Sequence, residues 1–176
     1  MWDRVSDPVG RPVGPKDFAV QPKYDYRRRL PHIQKDDHPL FVTFTTDHRW
    51  PLPPAARDIV LDCCLKENGR KFNLHAAVVM PDHVHLIYSP LRREDGGNYS
   101  LPEIVKAIKG PAARRINVML KRTGQVWQEE FFDHVLRSNE SVVDKMDYVC
   151  QNPARAGLAR IESDYRWLWR GKIPVL

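Results

Sequence analysis

Apolar and polar residues alternate at two-residue spacing in several short segments of the chain, which is the pattern of β-strands. Residues 40–46, with the sequence LFVTFTT, and residues 72–80, with FNLHAAVVM, are rich in β-branched and aromatic side chains. Residues 83–90, HVHLIYSP, follow a Pro-Asp turn signal, so they are predicted to form a hairpin with the segment before them. A fourth strand is predicted within residues 125–137, which mix aromatic and β-branched residues.

Helical spacing of apolar residues alternates with these strands. Three helices are predicted, over residues 55–68, 102–121 and 141–150. Ser100 with Glu103 three residues later forms a capping-box signal before the second helix. The resulting order, β-α-β-β-α-β-α, contains two split βαβ units. It predicts an α+β fold with a ferredoxin-like antiparallel sheet and helices packed on one face.

The first part of the chain has a different composition from the rest. Residues 1–38 are rich in proline, glycine and charge and lack a sustained apolar period, so we interpret them as a basic N-terminal arm. The arm includes Arg27, Arg28 and Arg29, which fit either a solvated surface run or a contact with a phosphate backbone. Residues 39–176 are predicted to form a single domain.

Composition limits the partners and the compartment. The chain has 28 Lys and Arg against 22 Asp and Glu, and the net charge of +6 favours a polyanionic partner such as nucleic acid. The three cysteines form no CxxC pair, which argues against a thiolate zinc site and suits a reducing compartment. Because there is neither a signal-peptide pattern nor an apolar run long enough to span a bilayer, a cytoplasmic protein without a membrane partner is predicted.

His83 and His85 flank one apolar residue inside a predicted strand. Strand alternation places both side chains on the same face, where two imidazoles could bind one metal ion. The alternative is a pair of ordinary histidines at the start of a strand, because short motifs often occur by chance.

Tyr148 and Asn152 are four residues apart and share a helix face if the third helix continues that far. A tyrosine hydroxyl can act as a nucleophile when a metal polarises the phosphate or a base lies nearby. Otherwise Tyr148 is a half-buried helix residue and Asn152 a C-terminal cap before Pro153.

The fourth predicted strand carries a second polar and aromatic group. Trp127 could stack on unpaired bases and Arg137 could contact phosphate, although strand packing and a surface ion pair explain the same residues. His134 in this segment is a candidate third metal ligand.

Four blocks of the sequence, in order, resemble a known family. They are VVMPDHVHLI, SLPEIVKAIKGPAARRIN, VWQEEFFDHVLR and YVCQNPARAGL. Together they resemble the REP-associated tyrosine transposases, which belong to the IS200-like single-tyrosine transposases with an HUH (His-hydrophobic-His) motif. The combination of MPDHVH with Y-x-x-x-N-P-x-x-A-G-L is more specific than either block alone. Where the family usually has a sequence like FSARR after IKG, this chain has PAARR.

The resemblance implies a set of functional residues. Tyr148 would be the nucleophile, with His83 and His85 as catalytic metal ligands for Mg²⁺ or Mn²⁺. Asn152 would be the third ligand, with Gln151 and His134 as alternatives. The implied DNA-binding residues are Arg27, Arg28, Arg29, Lys106, Lys109, Arg114, Arg115, Trp127 and Arg137.

The resemblance also implies a reaction, in which Tyr148 attacks single-stranded DNA beside a palindromic-repeat hairpin. A 5′-phosphotyrosine forms, a 3′-hydroxyl is released, and a second 3′-hydroxyl rejoins the strand. The repeat-associated branch is expected to act as a monomer rather than a homodimer. Two other functions fit the same residues: a non-catalytic protein that binds DNA hairpins, and a metal-dependent nucleotide hydrolase in which Tyr148 is dispensable.

Overall fold

The computed structural model describes residues 38–137 and 139–172, with the backbone alone at residues 139 and 140. Residues 1–37 of the predicted arm, including Arg27, Arg28 and Arg29, lie outside the described residues, so the division into arm and domain stays a prediction. The strands and helices are β1 (Leu40–Thr46), α1 (Pro54–Glu67), β2 (Phe72–Val79), β3 (His83–Pro90), α2 (Leu101–Met119), β4 (Trp127–Val135), α3 (Asn139–Cys150), α4 (Asn152–Arg155) and β5 (Leu168–Arg170).

The strands form one antiparallel sheet in the order β4-β1-β3-β2-β5. The predicted hairpin is present as β2 and β3, and the predicted fourth strand is β4. The α+β class with a ferredoxin-like antiparallel sheet is therefore confirmed. The short strand β5, which extends the sheet beyond β2, was not foreseen because only three residues pair there.

One face of the sheet is covered by α1 and α2, and we call it the α1/α2 face. Val84, Leu86 and Tyr88 of β3 point into this core, where they meet apolar residues of both helices. The predicted capping box begins α2: the Glu103 backbone N–H donates to Ser100 Oγ, and the Ser100 N–H donates to the Glu103 carboxylate at 2.8 Å.

The opposite face carries His83 and His85, and we call it the histidine face. Here α3 packs on the sheet through Val142, Met146 and Val149, all fully buried. Burying each such side chain stabilises the fold by roughly 1.5–3 kcal/mol. The sequence predicted helices on one face of the sheet only. The structure differs in α3, whose apolar residues pack on Phe41, Ala76 and Ile87 of the second face.

The chain after α4 returns to the sheet and ties several elements together. The buried Tyr165 hydroxyl donates to the Val79 carbonyl at 2.7 Å, and Trp167 Nε1 donates to the Asp58 carboxylate of α1 at 2.8 Å. Arg170 of β5 forms an ion pair with Asp147 of α3. The C-terminal segment thus contacts both helical layers. No helix in the described part of the chain is long and apolar enough to cross a membrane.

Replacing Tyr165 with Phe is expected to lower the free energy of unfolding by about 1–3 kcal/mol, because the Val79 carbonyl then lacks its buried partner. Urea unfolding measures the loss. The matched control is Tyr148→Phe, whose ring is half exposed and whose change is expected to stay within about 0.5 kcal/mol. Equal stability of the Tyr165→Phe and wild-type proteins would contradict a structural role for the buried hydroxyl.

Candidate active site

His83 and His85 lie side by side at the start of the central strand β3. Their ring centroids are 4.7 Å apart with the ring planes at 75°. Val84 between them points to the opposite face and is fully buried in the α1/α2 core. Both histidines are only partly buried, so their rings can reach a ligand from solvent.

Each imidazole is held at its Nδ1 atom. His83 Nδ1 donates to the Asp82 carboxylate at 2.6 Å, and Asp82 also pairs with Arg49 at 3.0 Å. His85 Nδ1 lies 2.8 Å from the Thr43 hydroxyl on β1, which can accept a hydrogen bond. Donation from Nδ1 leaves Nε2 of His83 with a lone pair, and His85 presents the same lone pair in the tautomer whose Nδ1 donates to Thr43. Such outer hydrogen bonds are the usual means by which proteins orient metal-binding histidines.

The surroundings keep both imidazoles neutral. Burial lowers the pKa of His85 to about 3, and the charges of His83 and Lys145 act in the same direction. Burial also lowers the pKa of His83, although the neighbouring Asp82 carboxylate opposes that shift. Neutral imidazoles are the form that binds metal ions.

Tyr148 lies on α3 with its side chain 51% exposed. Two cations flank its ring: Lys145 Nζ is 5.2 Å from the ring centroid, and the Arg155 guanidinium carbon is 4.4 Å from it. Arg155 also donates to the Tyr148 carbonyl at 3.1 Å and to Gln151 Oε1 at 3.2 Å. The tyrosine is therefore accessible and surrounded by positive charge.

Phe41 and Lys145 connect the tyrosine to the histidine pair. Lys145 Nζ lies 4.9 Å from the centroid of the Phe41 ring, and that ring lies 5.6 Å from the His85 ring. The same ammonium group thus stands next to Tyr148 and within electrostatic reach of His85. The fold brings His83, His85 and Tyr148 to one face of the sheet.

Asn152 and Gln151 follow the tyrosine helix closely. The Gln151 N–H still bonds the Asp147 carbonyl at 3.1 Å, but α3 ends there and Asn152 opens α4. Pro153 has no N–H, so it cannot bond the Val149 carbonyl and continue the helix. The carboxamide oxygen of Gln151 accepts from Arg155, whereas Asn152 is partly buried.

His134 does not join the histidine pair in a three-residue group. Within residues 38–137 and 139–172, no three His, Cys, Asp or Glu side chains are grouped so as to hold a metal ion. His134 is exposed on β4, opposite Phe41 in the strand register. Asn152 and Gln151, the other two candidates for a third ligand, carry carboxamide side chains.

The basic residues predicted on α2 lie on the α1/α2 face, away from the histidines. Lys106 and Arg114 are exposed, and Arg115 forms an ion pair with Asp62 of α1. The Lys109 ammonium group donates to the backbone carbonyls of Gln128 and Glu129 at 2.6 and 3.3 Å. A groove of about 410 Å³ between α2 and β4 is lined by Lys106 and Lys109 and lies on this same face.

Of the two interpretations of Trp127, the structure agrees with strand packing. Its side chain is buried on the α1/α2 face, edge-on to Phe44 at 5.0 Å, and Nε1 donates to the Lys109 carbonyl at 3.1 Å. Periodicity along β4 could not say which of its aromatic residues faces the core. Arg137, just after β4, is exposed.

Sequence reasoning overlooked four residues of this site. Lys145 lies three residues before Tyr148, and residues at this spacing lie on the same side of a helix. The sequence could therefore have predicted that the two are neighbours. Asp82 directly precedes His83, so the sequence could also have predicted that its carboxylate lies near the histidine pair. Thr43 and Arg155 come from other elements, so only the folded chain reveals their contacts.

The neutral state of His85 makes stability depend on pH. The unfolded chain binds a proton at His85 below about pH 6.5, whereas the folded protein does so only near pH 3. Because the unfolded state binds more protons between these values, the free energy of unfolding falls as the pH falls, by at most about 1.4 kcal/mol per pH unit from this residue. We expect His85→Gln to lose less stability than wild type between pH 7 and pH 5 in urea unfolding.

The control for this experiment is Thr123→Val, which changes an exposed residue that has no titratable side chain. Its loss of stability with acid should match that of the wild type. If the His85→Gln protein loses as much stability in acid as the wild type and the control, the pKa of His85 is not lowered in the folded protein.

Relatives of the chain are found in both sequence and structure. An Escherichia coli protein named REP-associated tyrosine transposase is 26% identical over 115 residues, covering 62% of this chain and 64% of that protein. A Haemophilus influenzae protein, whose name assigns it provisionally to the same group, is 24% identical over 103 residues, covering 53% of this chain and 56% of that protein. The aligned region thus spans less than two thirds of either relative.

The solved structure of a REP-associated tyrosine transposase bound to a REP hairpin has the same fold, with a TM-score of 0.61 and 21% identity. It covers 86% of this chain and 94% of that one. The family model described as "Transposase IS200 like" matches residues 56–151, a stretch that includes His83, His85 and Tyr148 and more than half of the chain. The chain belongs to the IS200-like transposase family.

Proposed function

We propose that the protein cleaves and rejoins single-stranded DNA through a covalent tyrosine intermediate. The observation that carries the proposal is the placement of Tyr148 on the same face of the sheet as His83 and His85. Lys145 lies beside the rings of Tyr148 and Phe41, and Phe41 lies beside His85. Membership of the IS200-like transposase family supports a reaction on DNA. The proposed substrate is a hairpin from a palindromic repeat with a single-stranded flank, because a protein of the same fold was solved with a REP hairpin.

His83 and His85 fit a divalent ion such as Mg²⁺ or Mn²⁺. Their Nδ1 atoms are engaged by Asp82 and Thr43, which aims both Nε2 atoms away from those partners. We propose Asn152 as the third ligand, since the Gln151 carboxamide oxygen is already paired with Arg155. A bound ion would polarise a non-bridging oxygen of the phosphate.

The proposed step is a transesterification by the chain's own tyrosine. The Tyr148 hydroxyl gives up its proton as its oxygen attacks the phosphorus, the bond from phosphorus to the 3′-oxygen breaks, and the departing oxygen takes up one proton to leave as a 3′-hydroxyl. Lys145 and Arg155 flank the phenol ring and would stabilise the charge on the phosphate in the transition state. Attack by a second 3′-hydroxyl on the phosphotyrosine reverses the step and rejoins the strand.

Contacts with the DNA duplex are proposed for exposed cations. Arg137 follows β4, while Lys106 and Arg114 lie on the α1/α2 face and could contact only DNA that extends around the sheet. Lys109 and Arg115 are less available, because their side chains already bind backbone carbonyls and Asp62. We further propose that the protein acts as a monomer in the cytoplasm, where its three free, buried cysteines would stay reduced.

Tyr148→Phe is expected to abolish DNA cleavage and to leave DNA binding unchanged, because the change removes only the attacking hydroxyl. The assay is a denaturing gel of protein with Mn²⁺ and a labelled hairpin taken from repeats that flank the gene. The wild type should give a slow, protease-sensitive covalent band that Tyr148→Phe lacks.

Other outcomes of the same gel identify the alternatives. Equal cleavage by both proteins without a covalent band would indicate a metal-dependent hydrolase. Tight hairpin binding with neither cleavage nor adduct would indicate a DNA-binding protein without catalytic activity.

Thr43→Val and Asp82→Asn are expected to weaken Mn²⁺ binding by about 10- to 100-fold, because each removes a hydrogen bond that orients a histidine. Calorimetric titration of Mn²⁺ measures the change without requiring catalysis. The control is Thr123→Val, an exposed threonine in the turn before β4, which should bind Mn²⁺ like wild type. Unchanged affinity in both site variants would place the metal elsewhere.

A further inference from the structure

Part of the histidine face is left uncovered by α3. This helix packs over β2, β3 and Phe41 of β1, through residues that also meet Ala76 and Ile87. On the far side of β1, the edge strand β4 presents Phe132 with 49% of its surface exposed. Along most of β4 the exposed positions are polar, so an exposed phenyl ring at this place needs a reason.

Phe132 lies in line with the histidine pair. Thr43 of β1 pairs in register with His85 on one side and with Phe132 on the other, so the three side chains form a row across the same face. Two strand spacings separate the ends of this row, about 10 Å. Thr43 also bonds the His85 ring, which couples the middle of the row to the active site.

The surroundings of Phe132 combine aromatic rings with positive charge. Its ring meets the Phe41 ring edge-on at 6.1 Å, and the Lys145 ammonium group lies 4.9 Å from that same Phe41 ring. A flat exposed ring supported by a second ring is a stacking surface, and a nearby cation suits the phosphate attached to a stacked base. An unpaired nucleobase has this combination of a flat apolar face and a charged backbone.

A second copy of the chain is a poorer occupant. Stable protein interfaces bury about 800 Å² on each partner, far more than one phenyl ring supplies. The neighbouring outward positions on β4, Glu130 and His134, are exposed polar residues rather than an extension of an apolar patch.

We propose that Phe132 stacks on an unpaired base of the single-stranded flank, next to the phosphate that Tyr148 attacks. The proposal rests on the proposed function, because it places single-stranded DNA on the histidine face. It assigns to Phe132 the role that the sequence suggested for Trp127, five residues earlier on the same strand. Phe132 would position the DNA strand by stacking on a base, and Lys145 would contact the phosphate next to that base.

The test uses the full chain with Tyr148→Phe as background, so that DNA binds without being cut. The probe is the repeat hairpin with 2-aminopurine placed in turn at each position of its single-stranded flank. We expect Phe132→Ala to weaken binding by about 5- to 100-fold, the effect of losing one stacked base. It should also remove the fluorescence quenching at one flank position, while Phe132→Trp keeps both signals.

Two controls separate stacking from general damage. Val118→Ala changes a side chain that is 75% exposed on α2, on the opposite face, and should bind as the background protein does. Phe132→Leu keeps an apolar side chain of similar bulk without the flat ring, so it should lose the quenching although the protein is folded. Circular dichroism confirms the fold of each variant.

The outcomes distinguish this proposal from the proposed function. If the background protein binds the hairpin and Phe132→Ala binds it equally well, stacking on Phe132 is overturned and the DNA reaction stands. If Phe132→Ala instead converts a dimer to a monomer in analytical ultracentrifugation without changing DNA affinity, Phe132 contacts a second copy. If neither the wild type nor the background protein binds single-stranded flanks at all, both proposals fail together.

Discussion

Side chains of the central strand β3 alternate between two different surroundings, and the rest of the structure depends on that alternation. Val84, Leu86 and Tyr88 fill the α1/α2 core, so the register of β3 is fixed by burial. His83 and His85 are then forced onto the other face, beside Thr43. A shift of one residue would bury both imidazoles in an apolar core and expose the apolar row, at a cost of many kcal/mol. The position of the histidines is thus set by residues that take no part in chemistry.

The tyrosine is positioned by a separate set of contacts. Met146 and Val149 anchor α3 to the histidine face, while the residues after α4 return to extend the sheet as β5. The ion pair between Arg170 and Asp147 joins that returning strand to the residue before Tyr148. An exposed ion pair contributes little stability alone, so the apolar contacts of α3 hold the helix on the sheet.

Much of the fold and some of the site followed from the sequence, for physical reasons that differ by element. Periodicity located β1 to β4 and the three long helices, because each has one face in a core. It missed β5, which is too short to show a period, and it could not place α3 on the second face. That His83 and His85 share a face could be predicted, because side chains two residues apart in a strand point to the same side. The burial of Trp127 and the exposure of Phe132 could not be predicted, because exposure on β4 depends on which face α2 covers.

The anchoring of α3 has a consequence for the second half of a strand-transfer reaction. If Tyr148 carries the 5′ end of a cut strand, that end is attached to a helix packed on the same sheet as the histidines. It cannot diffuse away, so its effective concentration at the active site is far above any concentration of free DNA. Rejoining then depends only on the arrival of a 3′-hydroxyl, and the choice of that incoming end decides whether the original strand is restored or a new junction is made.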